Sequence, residues 1–574
     1  MKTRHVGCIL LATSVACLAW LLWRGYTLAP PLSEDAAPWF ADATAELGVD
    51  FVHDAGPVDG KFFMPQAMGS GVALFDCDGD GRLDLYLVNN GGPKGKKNQL
   101  FRQRPDKTFE DISAGSGLDV AGFGMGVAVG DVDNDGRPDV VVTEYGGVRL
   151  FRNLGGGKFR EITREAGLDS TAWAASASFV DFDRDGRLDL VVAHYVAYDP
   201  TWPCNPANGG REYCPPRTFA GQVTRLYRNR GPGDGVAVRF EDVTLASGLG
   251  SRPGPGLGIV CADFTGDGWP DILVANDGTA NHLWVNQRDG TFREEAVSRG
   301  LAFNGMGQTE AGMGIAIGDV AGEGRADLVI SHLAEESPTL WLQGMRGQFT
   351  DHTGTAGLTT TRRRGTGFGI GLADFDCDGY LDLAIANGRI ARASSLVAPS
   401  LGPHWGRYAE WNQILRGVGG SKFRDISSSN DALCGTPNVA RGLAWGDLDN
   451  DGRIDLVVTT VAGPVRVLRN VAPNPGHWLR LRVLDPALKR DAVGAEVRVF
   501  AGSRVWWRLV QSASSYLSSN DIRPHVGLGT IDRIDRIEIL WPDGLRESFP
   551  GGGVDREIVI RRGTGQAMPK EGRP

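Results

Sequence analysis

The sequence predicts an all-β protein: a seven-bladed β-propeller with metal-binding loops, followed by a small all-β, sandwich-like domain. Three observations carry this. A loop built on Asp-x-Asp-x-Asp-Gly-x-x-Asp, whole or degenerate, starts at Asp76, Asp131, Asp181, Asp263, Asp319, Asp374 and Asp447, each time running into an apolar stretch. A Phe-x-Asp-x-Thr-like strand also occurs seven times, at Phe40, Phe109, Phe159, Phe240, Phe292, Phe349 and Phe423. Glycine, at 81 of 574 residues, is about twice its usual share and lacks the three-residue period of collagen. Such a surplus suits many short strands joined by tight turns.

The chain opens with Lys2 and Arg4 ahead of an apolar run over residues 6–23. That is long for a signal-peptide core and just long enough to span a bilayer. Positive charge before the run places the following chain outside the cytoplasm. Residues 1–29 therefore read as an uncleaved membrane anchor or a cleaved signal peptide, with 30–38 as a linker. Ser14-Val15-Ala16 ahead of Cys17 makes a poor lipidation signal. The chain is expected to be exported, anchored facing the periplasm or exterior, or secreted.

Residues 39–470 carry the repeat. Each unit holds the Phe-led strand, a Gly-Leu corner, a glycine-rich strand entering the aspartate loop, an apolar strand leaving it, and a Leu-Tyr-Arg-Asn-like strand. Loop starts are spaced by 55, 50, 82, 56, 55 and 73 residues. The two long spacings contain insertions at 199–220 and 391–412. Four short strands per period of about 50 residues is the signature of propeller blades. The first Phe-led strand precedes every loop, and the last loop has none after it. The strand at Phe40 can therefore complete the seventh blade and close the ring; an open solenoid is the alternative. After Asn470 the period ends. HWLRLRVL (477–484) and AEVRVF (495–500) alternate apolar and charged residues as half-buried strands do, and Pro542-Asp543-Gly544 reads as a hairpin turn. Residues 471–562 form the second domain, and the polar 563–574 read as a disordered tail.

The loops have the chemistry of a calcium site. Calcium takes about six to eight oxygens, and a glycine permits the sharp turn around it. Five loops offer four carboxylates and a backbone carbonyl each: Asp76, Asp78, Asp80, Asp84 with Arg82; Asp131, Asp133, Asp135, Asp139 with Arg137; Asp181, Asp183, Asp185, Asp189 with Arg187; Asp374, Asp376, Asp378, Asp382 with Tyr380; and Asp447, Asp449, Asp451, Asp455 with Arg453. The fourth loop keeps Asp263, Thr265, Asp267, Asp271 and Trp269. The fifth has only Asp319 and Asp327, with Ala321 and Glu323 between them, and is expected to bind weakly or not at all. About five or six Ca2+ ions are expected. An EF-hand is excluded, because its twelfth position needs a glutamate and its flanks need helices. Here that position holds Leu87, Val142, Val192, Val274, Ile330, Ile385 and Val458. The net charge of −9 then reads as metal-binding capacity. No cluster of Lys and Arg suggests nucleic acid.

Cys204 and Cys214, in an insertion rich in Pro, Gly and Asn, are expected to pair in an oxidising compartment. No Cys-x-x-Cys occurs, and the nine histidines are scattered singly. Gly-x-Ser-x-Gly, His-Glu-x-x-His, the phosphate-binding Gly-rich loop and Gly-x-Gly-x-x-Gly after a strand are all lacking. Trp506 and Trp507 are expected to pack between sheets, and Ser514, Ser515, Ser518 and Ser519 to serve as turn and strand residues.

These loops and their surroundings resemble FG-GAP (VCBS-type) repeats. Trp478-Leu479, Asp491-Ala492-Val493-Gly494-Ala495, Ser514-Ser515-Tyr516-Leu517-Ser518, Gly527-Leu528-Gly529 and Trp541-Pro542-Asp543-Gly544 resemble the ASPIC/UnbV module. The tandem, over residues 39–562, is similar to bacterial members of the cartilage acidic protein family. The resemblance implies an exported, calcium-binding propeller with adhesion or ligand-binding duties. The expected function is non-enzymatic binding of a protein or glycan, with membrane contact only through the N-terminal segment. A polysaccharide-acting enzyme with a site at the propeller funnel is the alternative. Recognition is expected at the two insertions, since loops on a rigid scaffold commonly carry it.

Overall fold

The computed structural model describes residues 37–205, 210–233, 235–361, 363–473 and 475–569. The expected anchor or signal at 1–29 lies outside them. No helix among the described residues is long and apolar enough to cross a membrane.

The repeat folds into seven four-stranded antiparallel sheets. Blade 2 shows the plan: Gly124–Gly130 is innermost, followed outward by Asp139–Glu144, Gly147–Gly155 and Lys158–Glu161. Blades 1 and 3 to 6 repeat this order with innermost strands Val72–Phe75, Ala174–Val180, Gly256–Ala262, Ile315–Gly318 and Gly367–Ala373. In blade 7, Ala440–Gly446, Asp455–Thr460 and Arg466–Asn470 take their fourth strand from the start of the repeat region. Phe40–Asp42 pairs with Arg466–Asn470, Phe40 opposite Asn470. The two ends of the repeat region are thus joined in one sheet.

Strands such as DVVVTE and DLVVTT are β-branched runs without alternation, because both faces of each blade are covered by its neighbours. Separate apolar cores lie between successive blades, including one between blade 7 (Ala444, Val457, Val467) and blade 1 (Val72, Leu85, Leu87). The seven Phe-led outer strands bring Phe40, Phe109, Phe159, Phe240, Phe292, Phe349 and Phe423 into these cores, each 9% exposed or less.

The C-terminal region forms two further sheets. His477–Asp485 pairs with Arg490–Asp491 and His525–Gly529 and lies parallel to Arg556–Arg561. Glu496–Ala501 lies between Arg504–Leu509 and Arg533–Leu540, and the latter pairs with Arg546–Gly553 across the Pro-Asp-Gly turn. Leu479, Val497, Trp506, Val526, Ile537 and Trp541 lie in the core of this domain. The Trp507 indole is buried and donates to Glu496 at 3.1 Å. The tail read as disordered contains a further short strand, Gln566–Ala567, paired with Glu547 and Ser548.

This region does not stand apart from the propeller; the described residues from Pro38 onward form one compact unit. Its segment 511–521 enters the central channel and bonds to the innermost strands. The Ser515 and Ile315 backbones exchange two hydrogen bonds, Ser519 does the same with Val72 and Leu74, and Leu517 accepts the N–H of Val127. Ser512 donates to the Val129 carbonyl, Gln511 to the Ser178 hydroxyl, and Asn520 accepts from Trp445. Tyr516, at the tip, is fully buried and donates to the Met68 carbonyl at 3.3 Å. Glycine makes room for this plug: a Cβ on Gly71 would stand 1.6 Å from the Leu517 carbonyl oxygen. The serines read as turn and strand residues include Ser515 and Ser519, which bridge to Ile315 and Ala73 from the segment in the channel.

Candidate metal centres

Each aspartate loop joins the innermost strand of a blade to the next, so the first aspartate ends one strand and the last begins its partner. The first aspartate folds the loop over itself. Asp131 accepts the N–H groups of Asp135 at 3.1 Å and Gly136 at 2.8 Å, and Asp76, Asp181, Asp374 and Asp447 do the same. The last aspartate locks the loop to the blade. Asp139 accepts the N–H of Val132 at 2.9 Å and that of Asn153, on the third strand, at 2.7 Å. Asp84, Asp189, Asp271, Asp327, Asp382 and Asp455 are placed the same way.

First, second and last aspartates converge. In Asp76/Asp78/Asp84, Asp131/Asp133/Asp139, Asp181/Asp183/Asp189, Asp374/Asp376/Asp382 and Asp447/Asp449/Asp455, one carboxylate oxygen of each lies within 4.8 Å of the others. Each trio could hold a cation. The third aspartates, Asp80, Asp135, Asp185, Asp378 and Asp451, stand outside these trios. Each accepts the N–H of the residue two further on, Arg82, Arg137, Arg187, Tyr380 or Arg453. Among the described residues no acidic trio forms in blades 4 and 5. There Thr265 donates to Asp263 at 3.3 Å, and Asp319 and Asp327 only accept backbone N–H groups.

The electrostatics is that of a site short of positive charge. Burial pushes Asp84 up to about 7 and Asp131, Asp181 and Asp447 to about 6, and holds Asp139, Asp189, Asp382 and Asp455 well above the usual carboxylate range. Burial, then the charge of Asp378, raises Asp376 to about 6. The arginine of the Leu-Tyr-Arg-Asn-like strand supplies part of the missing charge: Arg152 meets Asp133 at 2.5 Å, Arg228 meets Asp183 at 2.5 Å, and Arg416 meets Asp376 at 2.7 Å. Even so, Oδ1 of Asp78, Asp133, Asp183 and Asp376 is buried without a hydrogen-bond partner. Burying an unpaired carboxylate oxygen is costly, so this oxygen-only donor set fits a hard cation such as calcium.

Two features of the site were not read from the sequence. The C-terminal domain covers the loops: Arg480 pairs with Asp447, Arg490 bonds Asn134 at 2.8 Å and the Gly186 carbonyl at 3.2 Å, and His525 bonds the Gly452 carbonyl at 2.9 Å. At the end of the third strand of every blade but the sixth, an Asn or Gln reaches across to the loop of the preceding blade. Asn153 donates to the carbonyl of Cys77, Asn229 to Val132, Asn286 to Phe182, Gln343 to Phe264 and Asn470 to Phe375, at 2.8–3.0 Å. The recurring Asn in Leu-Tyr-Arg-Asn was the available signal.

Fold and loops define a class: a propeller of FG-GAP repeats whose aspartate loops are covered by an ASPIC/UnbV domain. The FG-GAP-like repeat family model matches residues 76–142, 131–192 and 263–330, and the ASPIC and UnbV model matches 485–567. The chain is similar to cartilage acidic protein 1. Against the Xenopus tropicalis protein it is 24% identical over 507 residues, 84% of this chain and 71% of that one. Against the Mus musculus protein it is 25% identical over 329 residues, 56% of this chain, and spans about half of that relative (47%). Among solved structures, an Agrocybe aegerita lectin recognising non-reducing terminal N-acetylglucosamine is similar with a TM-score of 0.35 and 18% identity, over 62% of this chain and 79% of that one. The FG-GAP repeats and the ASPIC/UnbV domain point to a non-enzymatic protein of extracellular type, and the Cys204–Cys214 disulfide agrees with that setting.

Proposed function

We propose that the protein is an exported, calcium-binding propeller that works by binding a protein or glycan at the cell envelope, without catalysis. The observation that carries this is the orphaned second-aspartate oxygen at Asp78, Asp133, Asp183 and Asp376, each converging with the first and last aspartates of its loop. Bound calcium would supply positive charge and take these oxygens as ligands. In each trio the first and last aspartates hold the loop backbone, and in four of the five, those of Asp78, Asp133, Asp183 and Asp376, the second offers a free oxygen. Five ions follow from the trios, and the Asp263, Thr265, Asp267, Asp271 loop is the candidate for a sixth. The non-enzymatic reading is supported by the plug, which fills the channel from the aspartate-loop face. The recognition surface is then the opposite face, where the two insertions pack together. Arg392 meets Glu212 at 2.8 Å, the Tyr408 hydroxyl donates to Glu212, and Tyr213 bonds His404 at 3.2 Å. Membrane contact is assigned to the N-terminal segment alone.

The test is a protein and glycan binding array, with calcium and with chelator, run beside a turnover assay on a polysaccharide panel. Calcium-dependent retention without turnover is expected. Turnover that is lost when channel-end carboxylates are replaced would overturn the reading in favour of an enzyme.

A further inference from the structure

A cavity of about 650 Å³ opens at the end of the channel opposite the aspartate loops. Tyr195, Leu257, Met313 and Phe368 line it from the loop-distal ends of blades 3, 4, 5 and 6, and Met64 and Met68 from the short helix before blade 1. The disulfide-closed insertion contributes Trp202, 56% exposed, at its mouth. The wall is thus largely apolar and aromatic, with thioethers, and it is held in place by the plug: Phe368 packs edge-on against Tyr516 at 5.0 Å.

Apart from the exposed Arg217 at the rim, one charge among the described residues of this wall lacks a partner of opposite sign. Asp277 accepts the Tyr195 hydroxyl at 2.6 Å, and among the described residues no Lys or Arg pairs with it. Its surroundings add negative charge: Asp277 bridges to Ala311, whose N–H is held by the Glu336 carboxylate at 3.0 Å. The other charges nearby are committed or exposed. Glu212 is held by Arg392, and Arg217 lies exposed at the rim. Arg441, 3.8 Å from the Phe368 ring centre, gives its N–H groups to the carbonyls of Ala67, Gly388, Ala440 and Arg389.

A carboxylate in an apolar pocket without a cation is unfavourable until an opposite charge arrives. A hard metal ion would want several oxygens, and this wall offers few. Aromatic faces and thioethers favour an organic cation. We propose that this cavity binds an ammonium group carried on an apolar body, with Asp277 as its counter-charge and Tyr195, Phe368 and Trp202 as its aromatic walls. This rests on the reading of the molecule as a binding protein and gives the chemistry of its ligand. The ammonium can belong to a free amine or to a lysine side chain.

The experiment is calorimetric titration of the full chain in calcium with phenethylamine, with its neutral analogue 2-phenylethanol, and with a short lysine-containing peptide. The same titrations are run on Asp277→Asn. The wild type is expected to bind the amine or the peptide at least tenfold more tightly than the alcohol, and Asp277→Asn to lose that preference. Binding of the amine alone assigns a free-amine ligand, and binding of the peptide alone assigns a lysine. Equal binding of amine and alcohol, or no binding of any probe, overturns the proposal. A calcium-dependent melting temperature retained in both proteins would show that this failure is the cavity's and leaves the calcium-binding propeller standing.

Discussion

The Gln103 side-chain amide donates to the Leu448 carbonyl at 2.7 Å, tying blade 1 to the aspartate loop of blade 7. With the five Asn and Gln bonds between other neighbours, it makes a ring of side-chain stitches that breaks at one place. The equivalent residue of blade 6 is Gly417, where a Cβ would stand 2.3 Å from the Leu381 carbonyl oxygen.

Replacing Gln103 by Leu removes the closing stitch and leaves a buried carbonyl unpaired. A loss of about 1–2 kcal/mol is expected, read from the urea midpoint. Gly417→Asn should also lower the midpoint, because the clash at Leu381 outweighs any stitch it could form.

The second and last aspartates should separate metal binding from loop folding. Asp139 accepts two backbone N–H groups, so Asp139→Asn is expected to cost about 1–3 kcal/mol already in chelator, and more in calcium. Asp133 offers an orphaned oxygen instead. Asp133→Asn should change little in chelator and lose about 1.4 kcal/mol in ~1 mM calcium, the contribution of one site with a Kd near 10⁻⁴ M. Melting curves of both variants in the two buffers check this.

The plug should carry much of the adhesion between the domains. Tyr516 is fully buried and its hydroxyl is bonded to Met68. Tyr516→Ala is expected to cost about 3–5 kcal/mol, as other buried aromatic truncations do. Limited proteolysis should then release the C-terminal domain faster than in the wild type.

Acid should weaken the fold through buried histidines. Burial lowers His53 and His194 to about 4, below the ordinary value of 6.5. Between those values the unfolded chain binds more protons than the folded one, so stability is complete above pH 6.5 and falls as pH drops towards 4. Each ring is worth on the order of 3 kcal/mol over that window. NMR should show both rings neutral at pH 5.5, and His53→Gln should flatten the acid limb of the melting-temperature profile.

Much of this was legible because the loops and blades are local. The period of the aspartate loops, the Phe-led strands and the orphan strand at Phe40 each announce themselves within a few residues. Their spacing pointed to all four aspartates of a loop sharing one centre, and three of the four, first, second and last, come together in five loops. What was missed is long-range. Nothing local to Ser514–Ser519 says that the segment will meet strands some 400 residues away, such as Val72 and Val127. Nor does Asn153 reveal that its partner is Cys77, in another blade. The third aspartate stands outside the trio, where Asp80, Asp135 and Asp185 accept both the backbone N–H and the guanidinium of the arginine two residues on, partners that spacing does not show.

The most direct test is calorimetric melting of the purified protein before and after exhaustive chelation, with elemental analysis of bound metal on the same samples. The account predicts about five calcium ions per chain and a melting temperature that falls by several degrees on chelation and recovers when calcium is restored. A metal-free protein whose melting temperature is indifferent to calcium would contradict it.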